Sequence, residues 1–308
     1  MAKSSGMKVR QTVARFTAAA LTVALAATGT SAFAADDSGP TYKPVAQQAS
    51  KANKFTGSTA ADEAPINPLV GIDRAGDMWG YWPNGSGGLD AREKFGTDWS
   101  SYYRIVQQAD HDNDGFSDGL WYITTDGVLA SWMDDELDPV RIGSGWGIYN
   151  QVLSVGNHGG ASPDDILARD NSGVLWLYLG YGNGKVTSRI KIGAGWNVYT
   201  QIAGKGDLTS DGIDDIVARD KDGVLWLYKG TGNQYAPFAP RTKIGAGWNI
   251  FNYLVSVGDI DLDGITDLVA RDTAGALWLY KGTGSATAPY KPRVQIGTAG
   301  WNTYRLMF

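Results

Sequence analysis

Apolar residues in this chain come in short bursts cut off by Gly, Asp or Pro, the punctuation of strands and turns. One unit reads as four strands in succession: "VYTQIAG", "DIVAR", "GVLWLYKG" and "RTKIG". Along "GVLWLY" the side chains alternate between two faces and both are apolar, so this strand must be covered on both sides. The turn before it is D-x-x-G in "RDNSG", "RDKDG", "RDTAG" and "DRAG". Asp accepts a local backbone hydrogen bond there and Gly supplies positive φ, which makes a tight hairpin.

The same pattern returns along the chain. "DDILARDNSGVLWLYLG" at 164 recurs as "DDIVARDKDGVLWLYKG" at 214 and "TDLVARDTAGALWLYKG" at 266, with weaker copies at 117 and 68. Asp73, Thr124, Asp170, Asp220 and Asp272 occupy equivalent positions, spaced 51, 46, 50 and 52 residues apart. Periods of this size mark repeated supersecondary units such as propeller blades. The copy at 68 has no first strand of its own, while "YRLMF" near residue 304 is a first strand with nothing after it. Joining them predicts an all-β, five-bladed β-propeller of four-stranded blades, closed by pairing of the C-terminal strand with the N-terminal blade. An open array of the same units is the alternative, and it would leave strand edges exposed.

Between first and second strands lies an acidic loop. It reads Asp110, Asp112, Asp114, Gly115, Phe116, Asp118 in one repeat and Asp207, Thr209, Asp211, Gly212, Ile213, Asp215 in another. A third has Asp259, Asp261, Asp263, Gly264, Ile265 and Asp267. Oxygens at positions 1, 3, 5, 7 (a carbonyl) and 9 around a Gly at 6 suit Ca²⁺, which takes six or more hard oxygen ligands. Without a cation such carboxylates repel one another. Two to three calcium ions are therefore expected, against the plainer reading of solvated Asp-Gly turns. The remaining copy, "NHGGASPDD", keeps Asn157 and Asp165 but has Gly159 and Ala161 where acids should stand, so no metal is expected there.

These loops between the first two strands of a blade resemble FG-GAP, or VCBS, repeats, found in integrin α-chain propellers and many secreted bacterial proteins. The resemblance covers nearly all of residues 66–308 and lies in the loop. The Phe-Gly and Gly-Ala-Pro elements are absent, with "GAGW" nearby instead, and integrin propellers have seven blades, so only the loop chemistry carries over. The chain is also similar to tachylectin-type propellers, five-bladed lectins with "IG-x-G-x-W" and "DG-x-LY" elements but without these acidic loops, which implies N-acetylhexosamine recognition in clefts between blades.

Composition agrees with strands over helices: 41 Gly and 12 Trp, with Glu63, Glu93 and Glu136 the only glutamates. The N-terminus carries Lys3, Lys8, Arg10 and Arg15, then an apolar run, then Ala32 and Ala34 at A-x-A spacing. This is the pattern of a secretory signal peptide over 1–34, and it predicts an extracellular protein. Residues 35–65, poor in large apolar groups, read as a flexible spacer, and 66–308 as the propeller. Without the leader the chain has 23 basic against 32 acidic residues, which disfavours nucleic acid. No further segment suits a bilayer, and a monomer is expected. Cysteine is absent, so stability must come from elsewhere, bound metal included.

Catalytic groups are scarce. His111 and His158 both lie in acidic loops or their remnant and are expected to point to solvent. A glycosidase or lyase would need paired carboxylates from the surplus acids Asp77, Asp90, Glu93, Asp134, Asp135 and Glu136. The sequence therefore favours a binding module that is not an enzyme, with an extracellular glycan as ligand. A protein-binding adhesion factor or protease modulator is the competing class. Trp146, Trp196, Trp248 and Trp301 follow Gly and either plug the gaps between blades or lie open as sugar platforms. Trp176, Trp226 and Trp278 read as blade core, and Arg169, Arg219 and Arg271 as structural partners within or between blades.

Overall fold

A computed structural model describes residues 39–43 and 64–308. The leader, 1–34, and most of the stretch read as a spacer lie outside the described residues. In chain order the strands are β1 (Leu69–Asp73), β2 (Met78–Tyr81) and β3 (Glu93–Gly96), then β4 (Tyr103–Ala109), β5 (Gly119–Thr124), β6 (Leu129–Met133) and β7 (Val140–Gly143). β8 (Tyr149–Ser154), β9 (Ile166–Asp170), β10 (Leu175–Tyr178) and β11 (Ile190–Gly193) make the next set. β12 (Tyr199–Ala203), β13 (Ile216–Asp220), β14 (Leu225–Tyr228) and β15 (Thr242–Gly245) follow. The series ends with β16 (Phe251–Val255), β17 (Leu268–Asp272), β18 (Leu277–Tyr280), β19 (Val294–Gly297) and β20 (Tyr304–Met307).

They form five antiparallel four-stranded sheets. Blades 2 to 5 take four consecutive strands each, and blade 1 is ordered β20-β1-β2-β3. Pairing of Gly71 with Met307 and Ile72 with Leu306 closes the ring, so the molecule is an all-β, five-bladed propeller. Closure removes the two inner edges that an open array would expose.

Each hairpin turn does more than reverse the chain. Asp170 Oδ1 accepts from the N–H groups of Ser172 (2.9 Å) and Val174 (3.0 Å), and its Oδ2 accepts from Trp176 Nε1 at 2.8 Å. Asp73, Asp220 and Asp272 hold Trp79, Trp226 and Trp278 in the same way. Trp176, Trp226 and Trp278, read as blade core from the sequence, are half-buried: each packs against a seam cluster and also lies under a cation.

The core is divided among the seams. Leu175 and Leu177 on one face of β10 pack with Trp196, Tyr199 and Ile202 of blade 4. Trp176 and Tyr178 on the other face pack with Trp146, Tyr149 and the blade 2 residues Trp121 and Leu129. Five such clusters serve the five seams, which is why the strand is apolar on both faces.

An arginine crosses every seam. Arg169 donates to the carbonyls of Trp196 (3.2 Å) and Tyr199 (2.5 Å), Arg219 to those of Trp248 and Phe251, and Arg271 to those of Trp301 and Tyr304. At the other two seams Arg104 bonds the carbonyls of Trp146 and Tyr149, and Arg305 those of Trp99 and Tyr103. In blades 3 to 5 the arginine comes from the second strand, and in blades 1 and 2 from the first. The structure thus gives Arg169, Arg219 and Arg271 the inter-blade role expected of them, and adds two members that the repeat alignment hid.

The innermost strands line a central cavity of about 310 Å³. Among the described residues no helix is long and apolar enough to cross a membrane.

Candidate functional site

The acidic loops fold by using their own carboxylates as backbone caps. In the first loop Asp110 accepts from the N–H of Asn113 (2.6 Å) and Gly115 (2.9 Å), Asp112 from Asp114 (3.1 Å), and Asp114 from Phe116 (2.9 Å). Asp118 accepts from His111 (2.6 Å) and Asp112 (3.2 Å). The third loop repeats this, with Asp259 on Leu262 and Gly264, Asp263 on Ile265, and Asp267 on Ile260. In the second, Asp207 holds Thr209 and Gly212, Asp211 holds Ile213, and Asp215 holds Leu208. The caps impose positive φ at the fourth and sixth positions: 65° and 86° at Asn113 and Gly115, 61° and 85° at Leu262 and Gly264. A bulky Leu in that region is held against its own preference.

Two loops gather three carboxylates with oxygens within 4.8 Å of one another: Asp110, Asp112 and Asp118 in the first, Asp259, Asp261 and Asp263 in the third. Asp114 and Asp267 stand outside those groups, and the loop with Thr209 forms no such group among the described residues. The donor set fits a hard cation at one further point. Asp261 Oδ1, at the third position, is a buried acceptor without a hydrogen-bond partner among the described residues.

Burial raises several of these carboxyls. It takes Asp110 to about 7, aided by the charge of Asp164, and Asp118, Asp215 and Asp259 to about 6. Asp267 is pushed up to about 7 by the same cause. The protein also supplies counter-ions of its own. Lys229 pairs with Asp211 (2.6 Å), Lys281 with Asp261 (2.7 Å) and Lys291 with Asp263 (3.0 Å). The loop at 110–118 has no such lysine among the described ion pairs; the buried Lys205 reaches Asp164 beside it.

Both histidines differ from expectation. His111 and His158 are buried, edge-on to Trp121 and Phe238 at 4.9 Å, because the apolar blade packs up to the loop. Burial lowers both to about 4, so each is a neutral packing element near pH 7. Of the surplus acids, Asp77 is bridged to Lys94 at 2.8 Å and Asp134 accepts from Tyr42 Oη at 3.0 Å.

Trp146, Trp196, Trp248 and Trp301 plug the seams and are not open platforms. Each is 6–8% exposed, following a glycine with φ near 90°. Their rings lie 4.5–4.7 Å from Tyr178, Tyr228, Tyr280 and Tyr81 of the next blade. The burial follows from the arginine clamp, which pulls the turn carrying each Trp into the seam.

What the seams do display is an exposed cation that sequence reasoning missed. Arg92, Arg189, Arg241 and Arg293, each just before an outer strand, place the guanidinium carbon 4.0–4.3 Å from the ring centroids of Trp79, Trp176, Trp226 and Trp278. Arg189 also donates to Tyr149 Oη (3.1 Å), itself 2.5 Å from Tyr178 Oη. Arg92 with Tyr304 and Tyr81, and Arg241 with Tyr199 and Tyr228, repeat this. The recurring "SR", "PR" and "AR" before outer strands was the available signal. Blade 2 has Pro139 there and lacks the cluster.

Fold and loops together define a five-bladed propeller with acidic loops joining the first and second strands of its blades. Residues 207–270 match the FG-GAP-like repeat family, a stretch containing the loops at 207–215 and 259–267. No curated protein matches the chain. Among solved structures it is similar to the BP39L lectin from Burkholderia pseudomallei, at 16% identity over 78% of this chain and 71% of that one, with a TM-score of 0.47. It is similar to a triple arginine variant of AofleA from Arthrobotrys oligospora at 11% identity, over 77% and 73%, with a TM-score of 0.45. Sqt1 of Saccharomyces cerevisiae gives 10% identity over 75% and 51%, with a TM-score of 0.36.

Proposed function

We propose that this chain is a secreted, calcium-stabilised binding propeller that holds an extracellular glycan in its repeated seams and performs no reaction on it. The observation that carries the reading is the fourfold repetition of an exposed guanidinium stacked on Trp, fixed at three blades by a tyrosine hydroxyl pair. A planar fork of donors held over an aromatic face, with hydroxyls alongside, suits the hydroxyl and acetamido groups of sugars. Equivalent sites around a ring suit a repetitive polymer such as chitin or cell-wall glycan, because several weak contacts raise avidity. The N-terminal pattern supports export.

Calcium would be held by Asp110, Asp112 and Asp118 and by Asp259, Asp261 and Asp263, with Asp207, Thr209, Asp211 and Asp215 as a weaker third site. Bound there, the ion would cross-link the loop joining first and second strands and offset the carboxylate repulsion. The test is retention on chitin or peptidoglycan, competed by N-acetylglucosamine, comparing the wild type with Arg189→Ala/Arg241→Ala. Retention that drops in the variant supports the glycan. Absence of retention, with recovery of a protein partner, replaces it with the adhesion or protease-modulating role.

A further inference from the structure

Blade 1 has an extended segment lying along its outer edge. Along the outer edge of β3, Thr41 N donates to the Thr97 carbonyl (3.0 Å) and Lys43 N to the Phe95 carbonyl (2.6 Å), so residues 41–43 run antiparallel to it. The Thr41 carbonyl accepts from Trp99 Nε1 at 2.8 Å. Under this cover Phe95, Gly96 and Trp99 are buried, Trp99 completely.

Blades 2, 3 and 4 end in the same backbone without that cover. Ile142, Ile192, Ile244 and the glycine after each are half-buried, and the indole Nε1 of Trp146, Trp196 and Trp248 makes no hydrogen bond among the described residues. Their glycines point the same way. A Cβ on Gly96 would strike the Thr41 oxygen, so the docked carbonyl demands glycine there. A Cβ on Gly143, Gly193 or Gly245 would meet only the indole nitrogen of the following Trp, at 3.7, 3.9 and 3.8 Å, and none of the three has positive φ. The chain's own packing does not call for glycine at these positions. Each keeps open the space that holds a carbonyl oxygen at blade 1. Blade 5 differs: its linker is one residue longer, "GTAGW", and the Trp301 indole nitrogen crowds Gly297.

We propose that the outer edges of blades 2, 3 and 4 dock an extended segment of a partner polypeptide. One of its carbonyls takes the Trp Nε1–H, and its N–H groups pair with the outward carbonyls of β7, β11 and β15. The following residue of the partner is small. Tyr42 lies against Trp132 at blade 1, and at the other seams the corresponding seat is filled from within by Val186, Phe238 and Tyr290. A second copy of this chain is not the occupant, because its own residues 41–43 are engaged in cis.

The experiment titrates acetyl-Gly-Pro-Thr-Ala-Lys-amide into the full chain labelled at the Trp indole nitrogens. The Nε1–H resonances of Trp146, Trp196 and Trp248 should move downfield while those of Trp99 and Trp301 stay. Gly193→Ala should weaken the response at Trp196 alone by about tenfold, the value of one lost hydrogen bond in a filled cradle. Resonances that do not move up to about 5 mM peptide overturn the proposal. Shifts unchanged by Gly193→Ala overturn it too, as does N-acetylglucosamine moving the three indoles when the peptide does not. Arg189→Ala/Arg241→Ala leaves the strand edge intact, so this proposal and the glycan reading fail separately.

Discussion

Arg219→Ala tests whether the seams are clamped as described. Arg219 is 7% exposed, and its guanidinium donates to the carbonyls of Trp248 (3.1 Å) and Phe251 and to Thr200 Oγ1 (3.0 Å). Hydrogen bonds from a charged donor contribute about 1.5–3 kcal/mol each, but three do not add, because water enters the space that Ala leaves. The expected loss is about 3–4 kcal/mol, the range for breaking one partner out of a buried polar cluster. At about 2–4 °C per kcal/mol for a domain of this size, the midpoint should fall by roughly 10 °C. Arg241→Ala is the control: it removes an exposed cation over Trp226 and its hydrogen bond to Tyr199 Oη, together worth about 1–2 kcal/mol. Urea and thermal melts of both variants give the comparison, and Thr200→Val in each background gives the coupling. Equal losses in Arg219→Ala and Arg241→Ala would refute the clamp, since the seam would then be held by its apolar cluster alone.

Chelation should lower the thermal midpoint, because a ligand bound only to the folded form adds about 2.7 kcal/mol at a hundredfold excess over its Kd. Asp112→Asn should remove most of the effect at the first loop, which has no lysine, and a midpoint indifferent to chelator would count against calcium. Lys281→Met should tighten calcium binding at Asp261 by removing its competitor, read by calorimetry; weaker binding would mean that the lysine organises the loop. Leu262→Asn should stabilise the fold by about 0.5–1 kcal/mol in urea melts, since φ of 61° suits Asn better than Leu. His158 is neutral in the fold down to about pH 4, whereas the unfolded chain takes up its proton near 6.5, so its contribution is whole above 6.5 and is lost as pH falls towards 4. His158→Phe should flatten that acid limb by up to about 3 kcal/mol in melts at pH 7 and 4.5; an unchanged slope would show that the imidazole reaches water.

Much of the fold was legible because the repeat compares the chain with itself. The D-x-x-G turns, the doubly covered "LWLY" strand and the orphan first strand at "YRLMF" each have one local reading, and they agree. What escaped depends on atoms brought together across a seam. Arg104 and Arg305 sit one strand away from Arg169, Arg219 and Arg271, so no alignment column unites the five, yet their guanidinium groups meet equivalent carbonyls. The histidines look exposed in a polar loop and are buried because the neighbouring blade reaches over them. Lys229 and Lys281 lie fifteen or more residues from the acids they pair with, so a reading of the loops alone does not include them. Thr41 lies in a stretch read as spacer, and only the edge of β3 gives it a place.

Closure through β20 and β1 sets a schedule for folding. The strand that completes blade 1 is made more than two hundred residues after the strands it joins. During synthesis blade 1 therefore waits as a three-stranded fragment whose inner edge is open to any passing strand. Such long-range pairing also slows refolding. The interval before the circle shuts is the period in which this molecule is most exposed to aggregation, and help from chaperones would matter most then.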